Sequence, residues 1–144
     1  MARFRQEHQS IILSEAQQAF KTLTVGRYVQ LLPRDDGKGN ERLYALDLKQ
    51  KARAVTELSM GTRYQLYLAL RAAAHADYAT QRTPLPFVAD DIMETFDDER
   101  AGAAFEVLGK MAQAGQVIYL THHQHLLSIA QEVLGKNRVQ VHYY

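Results

Sequence analysis

Two adjacent carboxylates, Asp90 and Asp91, follow the apolar run Leu85–Ala89. That run has the length and character of a buried parallel strand. In open α/β sheets, ligands bind at the carboxyl ends of strands, so the pair stands on a candidate functional edge. A second apolar run, Gln116–Leu120, ends in Thr121-His122-His123. It puts an imidazole on the same edge, and imidazole changes charge near neutral pH. Upstream, Leu58-Ser59-Met60-Gly61-Thr62 precedes a long helical pattern. Ser59 is a good N-cap, and Gly61 lets a backbone N–H approach a ligand closely. A helix N-terminus with a hydroxyl and free amides is an anion site. Each feature has a plain alternative: a strand ending in a solvated acidic turn, or a capped helix with no ligand.

The elements that must position these residues can be read in chain order. Residues 2–20 read as an amphipathic helix, with Phe4, Ile11, Ile12, Ala16, Ala19 and Phe20 on its apolar side. Gly26 ends that region. Tyr28–Leu32 and Glu41–Leu48 read as strands around the turn Arg34–Asn40, whose two glycines supply positive φ. On the second strand, Leu43, Ala45 and Asp47 alternate with Tyr44, Leu46 and Leu48. Lys38, Arg42, Lys49, Lys51 and Arg53 make this hairpin basic. A solvated edge guarded by lysines explains them better than a DNA-facing patch. A helix is predicted from Thr62 to Ala79, and a linker over Thr80–Pro84. Asp97-Asp98-Glu99 suit the positive end of a helix over Asp98–Ala114, closed by Gly115 as C′. A last helix, His123–Leu134, stops at Gly135, and Val139–Tyr143 alternates like a terminal strand. From Leu85 onward the order is β-α-β-α-β, which implies a mainly parallel sheet.

Three stretches in this order carry a resemblance: ELSMGTRYQLYLALRAAA (Glu57–Ala74), LPFVADDIMETFDDER (Leu85–Arg100) and VIYLTHHQHL (Val117–Leu126). They resemble the signature motif, Walker B/D-loop and histidine switch of the ABC-type ATPase heads of SMC-like chromosome and DNA-repair proteins. The SbcC-like and YhaN-like bacterial group is the nearest match, and the likeness runs from about Gly26 to the C-terminus. The resemblance implies an α/β fold, the C-terminal half of an ABC/P-loop NTPase head. It has a mainly parallel sheet flanked by helices, with an N-terminal helix and β-hairpin. It divides the chain into residues 1–24, a remnant of the coiled-coil arm, and residues 25–144, the lobe itself. An ordinary helix packed on the domain remains the alternative for residues 1–24, because there are too few heptads to argue a coiled coil.

By the same resemblance, Asp90 is the Walker B carboxylate for Mg2+, Asp91 the water-polarising carboxylate and Asp97 the D-loop aspartate. His122 is the histidine that contacts the γ-phosphate and orients water. Ser59 and Gly61 contact ATP held by the opposite protomer, with Arg63 in support. The chain departs from the common pattern at Met60, Thr62 and Arg63. It also departs at Asp91, where glutamate is usual, and at Ile92, where proline is common. Aspartate retracts the carboxylate by about 1.5 Å, and a misplacement of that size can cost about 100-fold in rate. An Asp-Asp pair is usual in the YhaN-like group. A metal site of His122, His123 and His125 is disfavoured, because two are adjacent and no carboxylate stands beside them in sequence. His123 and His125 are placed on the helix surface.

No G-x-x-x-x-G-K-S/T occurs, so the chain has no P-loop cradle for the α- and β-phosphates. ATP and Mg2+ are therefore expected only in an assembled head. The expected partners are an N-terminal Walker A lobe, a second head, DNA and a nuclease subunit, and the chain is expected to be a fragment, split-gene product or truncated piece. Assembled, it hydrolyses ATP to drive DNA repair or processing; alone it is inactive. The competing reading is a non-catalytic dimerisation or DNA-docking module with vestigial motifs; a free-standing small α/β protein is a third. Composition agrees with one small soluble domain. The 144 residues carry a net charge of +1, so no global basic field demands nucleic acid. With no cysteine, disulfides and cysteine-ligated zinc are excluded, which suits a reducing cytoplasm. No apolar run nears the roughly 18 residues of a membrane span, and MARFRQEHQS lacks a signal-peptide core.

Overall fold

The computed structural model describes residues 2–144, except for the side chains of Ala2, Phe4 and Arg5. The expected apolar role of Phe4 therefore lies outside the described residues. Helix α1 spans Ala2–Leu23. Its C-terminal half is anchored by Ala16, Phe20 and Leu23, all buried, whereas Ile11 stands exposed. Gly26, at φ +78°, turns the chain into strand β1, Tyr28–Asp35. β1 pairs antiparallel with β2, Glu41–Asp47, and β2 with a short third strand, β3, Ala52–Ala54. β3 was not anticipated: ARA carries no strand pattern, and only the exposed side of β2 makes it one. β1 also runs three residues further than expected, because Pro33 pairs on an edge, where its missing N–H costs nothing.

Helix α2, Met60–Gln81, packs against α1 and extends into the expected linker. The join is polar as well as apolar. Gln65, 1% exposed, donates its side-chain amide to the Leu23 carbonyl at the end of α1. A buried carbonyl at a helix end needs such a partner. Strand β4, Phe87–Asp90, pairs in parallel with β5, Val117–Leu120, across helix α3, Asp98–Ala114. Helix α4, Gln124–Leu134, packs on α3 through the buried Leu126 and Ala130 and stops at Gly135, φ +85°.

Three expectations are corrected here. The predicted terminal strand Val139–Tyr143 is not a strand. A strand needs a ladder partner, and this segment pairs with none of the described strands. The β4 run is not buried on both sides: Ala89 is buried, but Val88 is 57% exposed, and Leu85, Ile118 and Leu120 are exposed too. The alternation follows from a pair of strands covered by α3 on one face only. Gly115 ends α3 with an extended backbone rather than a left-handed one. Its reason is space, since a Cβ there would lie 3.0 Å from Pro84 Cβ. Among the described residues, no helix is long and apolar enough to cross a membrane.

Candidate functional site

Parallel pairing in the register Asp90↔Leu120 brings two chain segments, about thirty residues apart, to one edge. Asp90 ends β4 with its side chain exposed. One residue later, the Asp91 N–H donates to the Leu120 carbonyl at 2.7 Å, extending the ladder by one bond. Asp91 then turns at φ +49°, a conformation that non-glycine residues seldom adopt. Such a residue costs on the order of 1–3 kcal/mol and persists only where its surroundings hold it. The hold is visible. Thr121 Oγ1 donates to Asp91 Oδ1 at 2.9 Å and accepts from the His123 N–H at 3.1 Å.

The other carboxylate oxygen, Asp91 Oδ2, faces two imidazoles. His122 Nδ1 lies 3.3 Å away and His123 Nε2 3.6 Å away. The two rings sit 4.4 Å apart and inclined by 34°. His122 is 79% exposed, while Asp91 is 15% exposed. The edge is thus a carboxylate held from below by a hydroxyl, with an imidazole free to reach outward. Beneath it, the Tyr119 hydroxyl accepts from the Met93 N–H at 3.2 Å, and its ring meets Phe105 edge-on. Burial pushes the Tyr119 phenol up to about 12, and the charges of Asp91 and Asp90 add to the effect.

The anion-binding candidates lie at the N-terminus of α2. Ser59 is its N-cap, as expected, accepting from the Thr62 N–H at 3.2 Å and sharing a 2.8 Å hydrogen bond with the Thr62 hydroxyl. The helix starts at Met60, so Gly61 sits inside the first turn rather than before it. Arg63 is exposed. Asp97 is the N-cap of α3, accepting from the Arg100 N–H at 2.8 Å. Arg100 links the two helix starts: its Nε is 3.7 Å from Asp97 Oδ2, and its Nη1 would stand 3.3 Å from a Cβ at Gly61.

Three residues of this edge were missed or misplaced in the sequence. His123 is not a helix-surface residue: it stands just before α4 and faces Asp91. Thr121 orients Asp91, and Arg100 lies against Gly61. The adjacency of two histidines beside a threonine was the available signal. Their meeting with a carboxylate depends on strand pairing, which local pattern cannot show.

No family model matches the sequence, and no curated protein does. Solved structures do. One, from work on ATP-driven dimerization and DNA-stimulated activation of SMC ATPases, aligns over 90% of this chain and 77% of its own, at 15% identity and a TM-score of 0.69. A Pyrococcus furiosus Smc head domain with an extended coiled coil, bound to the C-terminal domain of ScpA, aligns over 85% of this chain at 17% identity and a TM-score of 0.63. The SMC head domain from Thermotoga maritima aligns over 85% at 17% identity and a TM-score of 0.58.

The chain has the fold of the C-terminal lobe of an SMC head. The lobe spans 30% of the P. furiosus chain and 40% of the T. maritima chain. Its α/β class and its N-terminal helix and hairpin are those of that fold.

Proposed function

We propose that this lobe is the C-terminal half-site of an SMC-like ATPase, hydrolysing ATP held between two heads. The observation that carries the reading is the approach of His122 to Asp91, at 3.3 Å, on the carboxyl edge of a parallel strand pair in an SMC-head fold. A carboxylate beside an outward-reaching imidazole can orient and deprotonate a water attacking a phosphoryl group. Asp91 is the water-activating group in this reading, and His122 the γ-phosphate contact. Its shorter side chain is offset by a rigid setting: Thr121 and the Asp91–Leu120 bond fix where the carboxylate points.

Asp90 would hold Mg2+. An exposed carboxylate at a strand end, completed by water and phosphate oxygens, is a ligand set that Mg2+ accepts. Bound there with ATP, Mg2+ would neutralise charge on the phosphates. Ser59 and Gly61 would meet the nucleotide of the opposite head, with Arg63 in support and Asp97 in the D-loop. The cradle for the other phosphates belongs to a Walker A lobe. The exposed face of Val88, Ile118 and Leu120 supports such a neighbour, since bare apolar strands of this kind mark interaction sites. Helix α1, packed at its C-terminal half and largely exposed over Gln6–Ile11, suits the root of a coiled-coil arm. The SbcC-like and YhaN-like assignment, the DNA-repair role and a nuclease partner rest on the motif resemblance alone. The cytoplasmic setting rests on composition.

The test is a head rebuilt with a Walker A lobe. Asp91→Asn should keep ATP binding and head dimerisation while losing turnover, because only the water-activating charge is removed. Turnover within about twofold of wild type would pass Asp91's role to another group, whereas a rebuilt head that dimerises but never turns over ATP would favour the non-catalytic docking module. The lobe alone should bind ATP no tighter than about millimolar; micromolar binding by calorimetry would mean that it carries its own nucleotide site.

A further inference from the structure

We propose that Asp91, His122 and His123 form a binding site for a late first-row divalent cation, with Zn2+ as the favoured occupant. One oxygen of Asp91 and one nitrogen from each histidine lie within 4.8 Å of one another. Around tetrahedral zinc, with bonds of about 2.0–2.2 Å, neighbouring ligand atoms stand roughly 3.3–3.5 Å apart. The separations from Asp91 Oδ2 are 3.3 Å to His122 Nδ1 and 3.6 Å to His123 Nε2, so two edges of the tetrahedron are already near the length a bound ion would give them. The two ring nitrogens lie within 4.8 Å of each other, and the 79% exposure of His122 leaves its ring room to adjust to a bound ion.

A second observation points the same way. His123 Nε2 is buried with no hydrogen-bond partner, although it is aimed at the carboxylate. A buried polar atom left so is costly, and a cation between it and Asp91 would satisfy both. The orienting shell is in place too. Thr121 holds Oδ1 by a hydrogen bond, which leaves Oδ2 to face the rings, and outer partners of this kind fix metal-ligating carboxylates. Two imidazoles with one carboxylate suit zinc and its neighbours better than Mg2+. Three protein ligands leave one position open to solvent, beside the exposed His122. In a rebuilt head, the bound cation would occupy the atoms assigned above to water and γ-phosphate, so Zn2+ would inhibit turnover.

The experiment is Zn2+ titration of the full chain by calorimetry, with no nucleotide present, so its outcome is independent of the ATPase reading. One Zn2+ per chain is expected, with a Kd of about 10 µM or tighter. Binding should be abolished by His123→Ala and by Asp91→Asn. It should be weakened about 10–100-fold by Thr121→Val and be unchanged by His125→Ala or His142→Ala. Thermal melts without metal establish that each variant folds. Co2+ absorption of the wild-type chain gives an answer that needs no variant: the strong bands of a four-coordinate ion are expected. An octahedral aquo-like spectrum, absence of saturable Zn2+ binding, or binding that survives His123→Ala would overturn the site.

Discussion

Replacing Ser59 separates two roles that one hydroxyl would hold. In the structure that oxygen already caps α2, accepting from the Thr62 N–H and bonding the Thr62 hydroxyl. In the proposed assembly it also contacts the nucleotide of the opposite head. The two roles respond differently to alanine and glycine. As an N-cap, alanine costs about 1 kcal/mol, whereas glycine costs only a few tenths. For a chain of this length, 1 kcal/mol lowers Tm by about 3 °C. Ser59→Ala should therefore melt visibly lower and Ser59→Gly close to wild type. As a phosphate contact, both variants lose the same charge-assisted hydrogen bond, worth about 1.5–3 kcal/mol. With two such contacts in each dimer the loss is about 3–6 kcal/mol, or roughly 150- to 25,000-fold in ATP-dependent dimerisation. Light scattering on rebuilt heads measures the dimer, and differential scanning calorimetry the lobe. A Ser59→Gly head that dimerises with ATP like wild type would show that Ser59 is only a helix cap. The signature assignment of Leu58–Thr62 would fall with it.

Gln65→Leu should destabilise the lobe by about 1–3 kcal/mol, because the buried Leu23 carbonyl loses its donor; an unchanged urea midpoint would refute that bond's importance. Tyr119 carries a pH signature. Its folded phenol is raised to about 12 from an ordinary 10.0, so its contribution to stability is complete below pH 10.0 and is lost as pH climbs toward 12. Tyr119→Phe should flatten that alkaline decline in urea midpoints, and an identical decline in both proteins would place the titration elsewhere. Gly115→Ala should cost about 1–3 kcal/mol, since its Cβ meets the rigid Pro84 ring at 3.0 Å; a Tm at or above wild type would show that the Pro84 turn gives way.

What could be read along the chain was what short-range physics decides. Ser59 capped its helix and Asp97 the next, because a side-chain oxygen placed before helical residues needs only its own neighbours. The hairpin formed around the glycines of the predicted turn Arg34–Asn40, although β1 takes in Arg34 and Asp35, and Gly135 stopped α4 at positive φ. The order of three motifs was enough to anticipate the head-lobe fold. Pairing was decided elsewhere. Ala52–Ala54 became a strand because it pairs with the edge of β2, and Val139–Tyr143 did not because it pairs with none of the described strands. Val88 lies bare although its run reads as buried, since a strand's second face is covered only by what the tertiary structure supplies. The carboxylate that no histidine had beside it in sequence arrives from Asp91, across a parallel ladder and one full helix. Such a meeting depends on register between strands far apart in the chain, and no local pattern encodes that register.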